Sequence, residues 1–158
     1  MTRAGADDEL LADIASGTAI ATVGPLRGAR PTADGATLRG EMTAIPDVAA
    51  ANALLVIAEE STGAGLYAVD PESDSVTVTA RPHVDPTRKL FDVGLGGVSA
   101  RRLADAPEDA AAALVDDVLI ACAADALGAA TAVMNLAIDY AKARRQFDQP
   151  IGSFQAVQ

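Results

Sequence analysis

Tyr140-Ala-Lys-Ala-Arg-Arg-Gln-Phe-Asp-Gln-Pro-Ile-Gly-Ser-Phe-Gln-Ala-Val-Gln158 reads as the end of a long helix, a turn, and the start of a second helix. Pro150 lacks a backbone N–H and biases Gln149 toward extended backbone, so the first helix stops near Phe147. Ser153 is a candidate cap for a helix beginning at Phe154. Arg144, Arg145 and Gln146 bring several donors together, and Phe147 adds an aromatic face. A guanidinium grips phosphate with paired donors and a ring packs on a heterocycle, so the cluster suits a flat, anionic ligand. The same Arg-Arg pair also reads as a solvated helix C-terminus whose charge complements the helix dipole.

The order of residues adds a second argument. Tyr140-Ala-x-x-Arg-x-Gln-Phe-x-x-Pro-Ile-x-x-Phe-Gln155 resembles Y-A-x-E-R-x-Q-F-G-x-P-I-x-x-F-Q. That pattern joins the first two helices of the C-terminal domain in flavin-dependent acyl-CoA dehydrogenases. The resemblance implies that Arg144, Gln146, Phe147 and Gln155 contact an FAD held mainly by a neighbouring subunit, with Arg145 and Phe154 beside them. Two positions depart from the pattern: Ala143 replaces its glutamate and Asp148 its glycine. Asp148 puts a negative charge close to the implied phosphate site.

Upstream lies the helix itself. Asp105-Ala-Pro-Glu108 has the residues of a reciprocal N-terminal cap, and the helix is expected over 107–147, about 60 Å at about 1.5 Å per residue. Val118, Cys122, Ala126, Ala129, Val133, Leu136 and Tyr140 recur at steps of three or four and form an apolar stripe. Such a stripe needs cover, and no partner helix follows in the sequence. The stripe is therefore expected to pack on the β-rich region, to join a homo- or hetero-oligomer, or to belong to a longer protein.

Before the helix the pattern changes to short β-branched runs separated by Gly, Pro, Asp and Asn, as in an antiparallel barrel or sandwich. Strands are expected at 18–23, 30–33, 36–44, 53–58, 65–69, 75–80 and 97–103, with a hairpin turn at Asp34-Gly35. Residues 7–15 read as a short helix with Leu10, Leu11 and Ile14 on one face. The fold class is thus α+β: a β-barrel or sandwich followed by the first long helix of a helical bundle. The organisation is 1–16 as an N-terminal segment, 17–104 as a β-rich domain and 105–158 as the start of a helical domain.

The β-rich region extends the resemblance more loosely. Asp34-Gly-Ala-Thr-Leu-Arg-Gly40 looks like the family's D-G-x-x-L-N-G hairpin. Ala50-Ala-Asn52 with the run after it, and Gly65-Leu-Tyr-Ala-Val-Asp70, resemble its next strands. The departures fall on chemistry. Met42-Thr-Ala-Ile-Pro46 stands where K-x-W-I-T/S places a tryptophan and a hydroxyl against the flavin ring, leaving Ala44 and Pro46. Ala21-Thr-Val-Gly-Pro25 stands where T-E-P-G-A-G-S-D is usual and retains only Thr22.

Charge and cysteine content narrow the function classes. The 158 residues hold 12 Lys and Arg against 22 Asp and Glu, a formal charge of −10. That excess repels nucleic acid and anionic lipid, so neither is expected as a partner. The single cysteine, Cys122, excludes an internal disulfide and a cysteine-built zinc site. It reads as an inert buried thiol, and a cytoplasmic location is expected. No metal site is expected, since His83 lies alone between prolines. Asp92-Val-Gly-Leu-Gly-Gly-Val98 lacks the lysine of a phosphate-binding loop and reads as a flexible turn. Glu59, Glu60 and Glu108 read as solvated acids, so the residues nominate no catalytic base.

The expected function is part of an FAD-dependent acyl-CoA dehydrogenase acting on acyl-CoA thioesters, inactive as this chain alone. The alternative is a non-catalytic structural subunit or remnant of a heteromeric dehydrogenase. A third reading, more distant, is an unrelated β-barrel binding module with a helical tail.

Overall fold

The structure, a computed structural model, describes residues 8–85, 87–106 and 108–157. The chain forms two compact units, Met1–Leu114 and Val115–Gln158.

In the first unit, helix α1 (Asp8–Ser16) precedes eight strands: β1 (Ala21–Gly24), β2 (Thr32–Asp34), β3 (Thr37–Pro46), β4 (Ala53–Glu60), β5 (Gly63–Val69), β6 (Val76–Arg81), β7 (Leu90–Ser99) and β8 (Arg101–Asp105). They join in one sheet of order β6-β7-β3-β2-β4-β5-β8. β4 organises it. Its apolar run has no alternation because both faces are buried: Leu54, Val56 and Ala58 enter one core with Leu38, Met42, Tyr67 and Val93. Leu55 and Ile57 enter a second core with Leu10, Leu66, Ala106 and Leu114. Each such side chain contributes about 1.5–3 kcal/mol by leaving water. Of the apolar residues expected on one face of α1, Leu10 is buried while Ile14 remains exposed.

Several expectations need correcting. The sheet is not purely antiparallel: β1 pairs parallel with β4 through Ala21↔Ala53 to Gly24↔Val56. β2 meets β4 in parallel at Thr32↔Glu59. The β2–β3 hairpin lies between, so the returning chain runs alongside the earlier strands in the same direction. That hairpin turns at Gly35-Ala36, one residue later than Asp34-Gly35, because Asp34 pairs with Thr37. Gly35 then takes φ 59 at the first loop position, the glycine-first arrangement of a type II′ turn.

The segment expected to be a glycine turn is strand β7, paired with β3 and β6. Val93, Leu95 and Val98 point into the core. Gly97, at φ 93, lies at an irregularity of register opposite Leu38 and Arg39. Its φ of 93 is a conformation that L side chains rarely adopt, so the bulge favours glycine whatever room the flexible Arg39 guanidinium leaves. The strand expected over 97–103 is accordingly divided between β7 and β8 at Ala100.

Helix α2 (Glu108–Ala143) ends before Phe147, where the sequence placed its last turn. Its expected cap falls partly outside the described residues, which exclude Pro107 and the Glu108 side chain. Asp105 accepts a hydrogen bond from Arg102 Nη2 at 2.7 Å. Leu119, Ile120, Leu127, Val133, Met134, Leu136, Ile138 and Tyr140 are all exposed along the helix. Cys122, expected to be buried, is exposed too, because it lies on this uncovered apolar face. Between Ala112 and Ala143 the helix is long and apolar enough, by length and composition, to cross a membrane.

Candidate functional site

The second unit ends in a small hairpin built by local constraints. Arg144 N donates the last helical bond to Tyr140 O at 2.8 Å. The chain then runs extended through β9 (Arg145–Gln146) and returns through β10 (Gln149–Pro150). The two-residue loop Phe147-Asp148 has φ values of 50 and 61. Both central residues of a type I′ turn need positive φ, which costs about 1–2 kcal/mol for each non-glycine residue.

Contacts around the loop offset that cost. Arg145 Nη2 donates to Asp148 O. Ile151 N donates to Arg144 O at 2.8 Å, tying the return strand to the helix end. The Phe147 and Phe154 rings meet edge to face, with centroids 6.2 Å apart and planes at 85°, a geometry worth about 0.5–1.5 kcal/mol. Gly152 lies so close to the helix that an added Cβ would be 3.2 Å from Ala141 O.

The helix expected to start at Phe154 is not formed over the described residues. A short 3-10 turn (Ile151–Ser153) follows β10, and Phe154 is extended at φ −81 and ψ 132. Ser153 Oγ donates backward to Pro150 O at 2.7 Å, leaving a turn closed by Val157 N to Phe154 O at 2.9 Å.

This geometry brings the six sequence-nominated residues into one short segment and separates what they offer. Arg145 holds the turn. The Arg144 side chain and Gln155 have no partner among the described residues, and both are exposed. Gln146 Nε2 donates to Arg145 O at 2.9 Å, leaving its amide oxygen as an acceptor. Phe147 is 88% exposed, far more than a ring with full cover would be. An uncommitted guanidinium and two amides can donate to the phosphates of a nucleotide, which accept, and the open ring can pack on its heterocycle. The hairpin therefore fits an FAD.

The β domain gives a different answer. The two segments that the resemblance expects beside a flavin ring do come together: Thr22, 8% exposed, donates from Oγ1 to Pro46 O at 2.6 Å. That bond commits the Thr22 hydroxyl proton. Gly24 packs on Ile45, where an added Cβ would lie 2.3 Å from Cδ1. Ala44 takes φ 58, and its N–H is held by Asp92 Oδ1 at 3.2 Å. Asp92 also accepts from Arg81 Nε at 2.8 Å, and this guanidinium holds its carboxyl below the usual range. No aromatic side chain is offered at Ala44 or Pro46.

A polar cluster missed by sequence reasoning lines a cavity of about 410 Å³ beside the β2–β3 turn. Arg102 bonds Glu60 through Nε–Oε1 at 2.6 Å and Nη2–Oε2 at 3.1 Å. Tyr67 Oη adds a bond to Glu60 Oε1 at 2.7 Å. Glu60 is thus not a simply solvated acid. The bonds from Arg102 and then Tyr67 hold its carboxyl below the ordinary value of 4.5, so it stays ionised and is unsuited to act as a base near neutrality. Burial raises the Tyr67 hydroxyl, aided by Glu60. The only signal in the sequence was Arg101-Arg102, whose carboxylate partner is far away in the chain.

A folded-state pKa lowered in this way stabilises the protein above the unfolded value and is lost as pH falls through the folded one. Wild type is therefore expected to lose stability below pH 4.5, measured by urea midpoints between neutrality and acid. Glu60→Gln is expected to flatten that acid limb, and an unchanged limb would contradict the assignment.

Among the described residues no cluster of His, Cys, Asp and Glu could hold a metal ion. Residues 118–158 match the family model described as acyl-CoA dehydrogenase, C-terminal domain. Acyl-CoA dehydrogenase FadE27 of Mycobacterium tuberculosis is 35% identical over 143 residues, covering 85% of this chain and 36% of that protein. Acyl-CoA dehydrogenase IpdE2 of the same organism is 31% identical over 147 residues, covering 89% of this chain and 43% of its own length. The chain thus spans less than half of these curated relatives. Among solved structures, the ChsE4-ChsE5 complex of M. tuberculosis superposes with a TM-score of 0.82 at 29% identity, over 98% of this chain and 45% of that one. A glutaryl-CoA dehydrogenase of Mycobacterium smegmatis in complex with FADH2 has a TM-score of 0.85 at 22% identity, over 99% and 46%. This last likeness is one of fold.

Proposed function

The chain belongs to the acyl-CoA dehydrogenase family, and on that premise we propose that it supplies the β domain and an FAD-contacting hairpin of a flavoprotein acting on acyl-CoA thioesters. The observation that carries the reading is the free Arg144 guanidinium next to the open Phe147 ring. When bound, FAD supplies the two-electron acceptor for α,β-dehydrogenation. Arg144 binds its phosphates, Phe147 packs on a heterocycle, and the amides of Gln146 and Gln155 orient it.

Further protein completes the site. The apolar face of α2 needs cover, and protein suits it better than lipid because Asp125 falls midway along the apolar stretch, where an acid costs about 2.5–3.5 kcal/mol in a bilayer. The reading places the assembly in the cytoplasm. The ChsE4-ChsE5 complex, by its name an assembly of two proteins, supports a heteromeric partner.

A second reading, a non-catalytic subunit that reaches into a partner's flavin, is favoured by the committed Thr22 hydroxyl and by Ala44 and Pro46 at the expected ring contact. Both readings are tested by native mass and flavin absorbance, with and without added FAD, for the chain alone and co-expressed with a full-length acyl-CoA dehydrogenase. The proposal expects a yellow oligomer at least in co-expression. A colourless monomer in both preparations would overturn it, and a yellow oligomer that fails to reduce its flavin with any acyl-CoA would favour the second reading.

A further inference from the structure

We propose that Arg145 is a positioning residue that locks the Phe147-Asp148 turn, and so presents Phe147 and Arg144 to ligand; its flavin aspect rests on the reading above. Among the described residues, four non-glycine residues take positive φ: Ala44, Asp47, Phe147 and Asp148. The two in the β domain each have their backbone N–H tied, Ala44 to Asp92 Oδ1 at 3.2 Å and Asp47 to Lys89 O at 2.9 Å. At Asp148 the tie is made on the carbonyl, by Arg145 Nη2.

The backbone explains why a tie is needed here. Asp148 takes φ 61, a conformation that glycine adopts without steric cost and aspartate does not. Arg145 therefore offsets the cost of positive φ at Asp148, and the two positions are energetically coupled. With the turn secured, the return strand brings Ile151 N onto Arg144 O and Phe154 against the edge of Phe147.

A double-mutant cycle of Arg145→Ala and Asp148→Gly tests this on the full chain, and on whichever assembly binds FAD. Amide exchange at Ile151 is expected to rise about tenfold in Arg145→Ala but less than about twofold when the same change is made beside Asp148→Gly. FAD affinity is expected to fall about fivefold in Arg145→Ala and to recover in the double variant, a rescue that lost guanidinium contact with FAD would not show. Equal effects of Arg145→Ala in both backgrounds would overturn the coupling. Coupled exchange with FAD affinity identical in all four proteins would overturn the positioning role. Failure of even wild type to bind FAD would sink the flavin reading, while the exchange cycle would still decide whether Arg145 locks the turn.

Discussion

Arg144→Ala is expected to weaken FAD binding by the assembled flavoprotein by about ten- to a hundredfold, and to leave the thermal midpoint of the chain unchanged. The reasoning starts from its surroundings. The Arg144 side chain is exposed and has no partner among the described residues, while its backbone makes the bonds that hold the helix end. Truncating the side chain thus costs the fold little. A hydrogen bond to a charged group is worth about 1.5–3 kcal/mol, roughly one to two powers of ten in affinity. Titration of the flavin absorbance, with thermal unfolding run beside it, checks both halves. A lowered midpoint would mean that the guanidinium is structural; unchanged affinity would remove it from the site.

Leu54→Ala is expected to destabilise the β domain by about 3 kcal/mol, within the 2–5 kcal/mol typical of buried leucine truncations. Leu54 is fully buried at 0% exposure in the core that also holds Leu38, Val56, Tyr67 and Val93. β4 is flanked by β1 and β2 on one side and β5 on the other, so its backbone has little freedom to collapse into the void. Leu136→Ala makes the contrast. It removes an exposed side chain on α2, so the isolated chain is expected to change by less than about 0.5 kcal/mol. In an oligomer that covers this face the same change should cost more. Urea unfolding of both variants, alone and assembled, separates a core leucine from one awaiting a partner.

Much of this was legible in the residues, for identifiable reasons. The apolar run at 53–58 announced a strand, though not its burial on both faces, and the periodic stripe from Val118 to Tyr140 announced the helix. Hydrophobic period is a local property. The failures depended on nonlocal pairing or on a local balance that composition hides. Glycines at 94, 96 and 97 concealed β7, although Val93 and Leu95 carried the alternation; the bulge against Arg39 was invisible without its partner strand. Parallel pairing of β1 with β4 likewise depends on where the chain returns.

At the candidate hairpin, the sequence did not reveal how the nominated residues are arranged. Arg145 to Phe147 was read as a helix end because nothing local signals that Phe147 and Asp148 will both adopt positive φ. Ser153 has the identity of a cap but gives its hydroxyl to Pro150 O. Glu60 looked solvated because Arg102, its counter-ion, is distant in sequence and adjacent only after β4, β5 and β8 have paired. Cys122 was misplaced for the opposite reason: its apolar neighbours suggested burial, yet the face they share has no cover.

The claim on which the rest depends is that Phe147 lies against flavin. The chain has three phenylalanines, Phe91, Phe147 and Phe154, so global 4-fluorophenylalanine labelling gives three fluorine resonances, assignable by single substitutions. Adding FAD to the labelled assembly is expected to shift the Phe147 resonance and, through their edge contact, that of Phe154 to a smaller extent, while Phe91 stays in place. A flavin-loaded assembly in which the Phe147 resonance does not move would contradict the assignment of this hairpin to the cofactor.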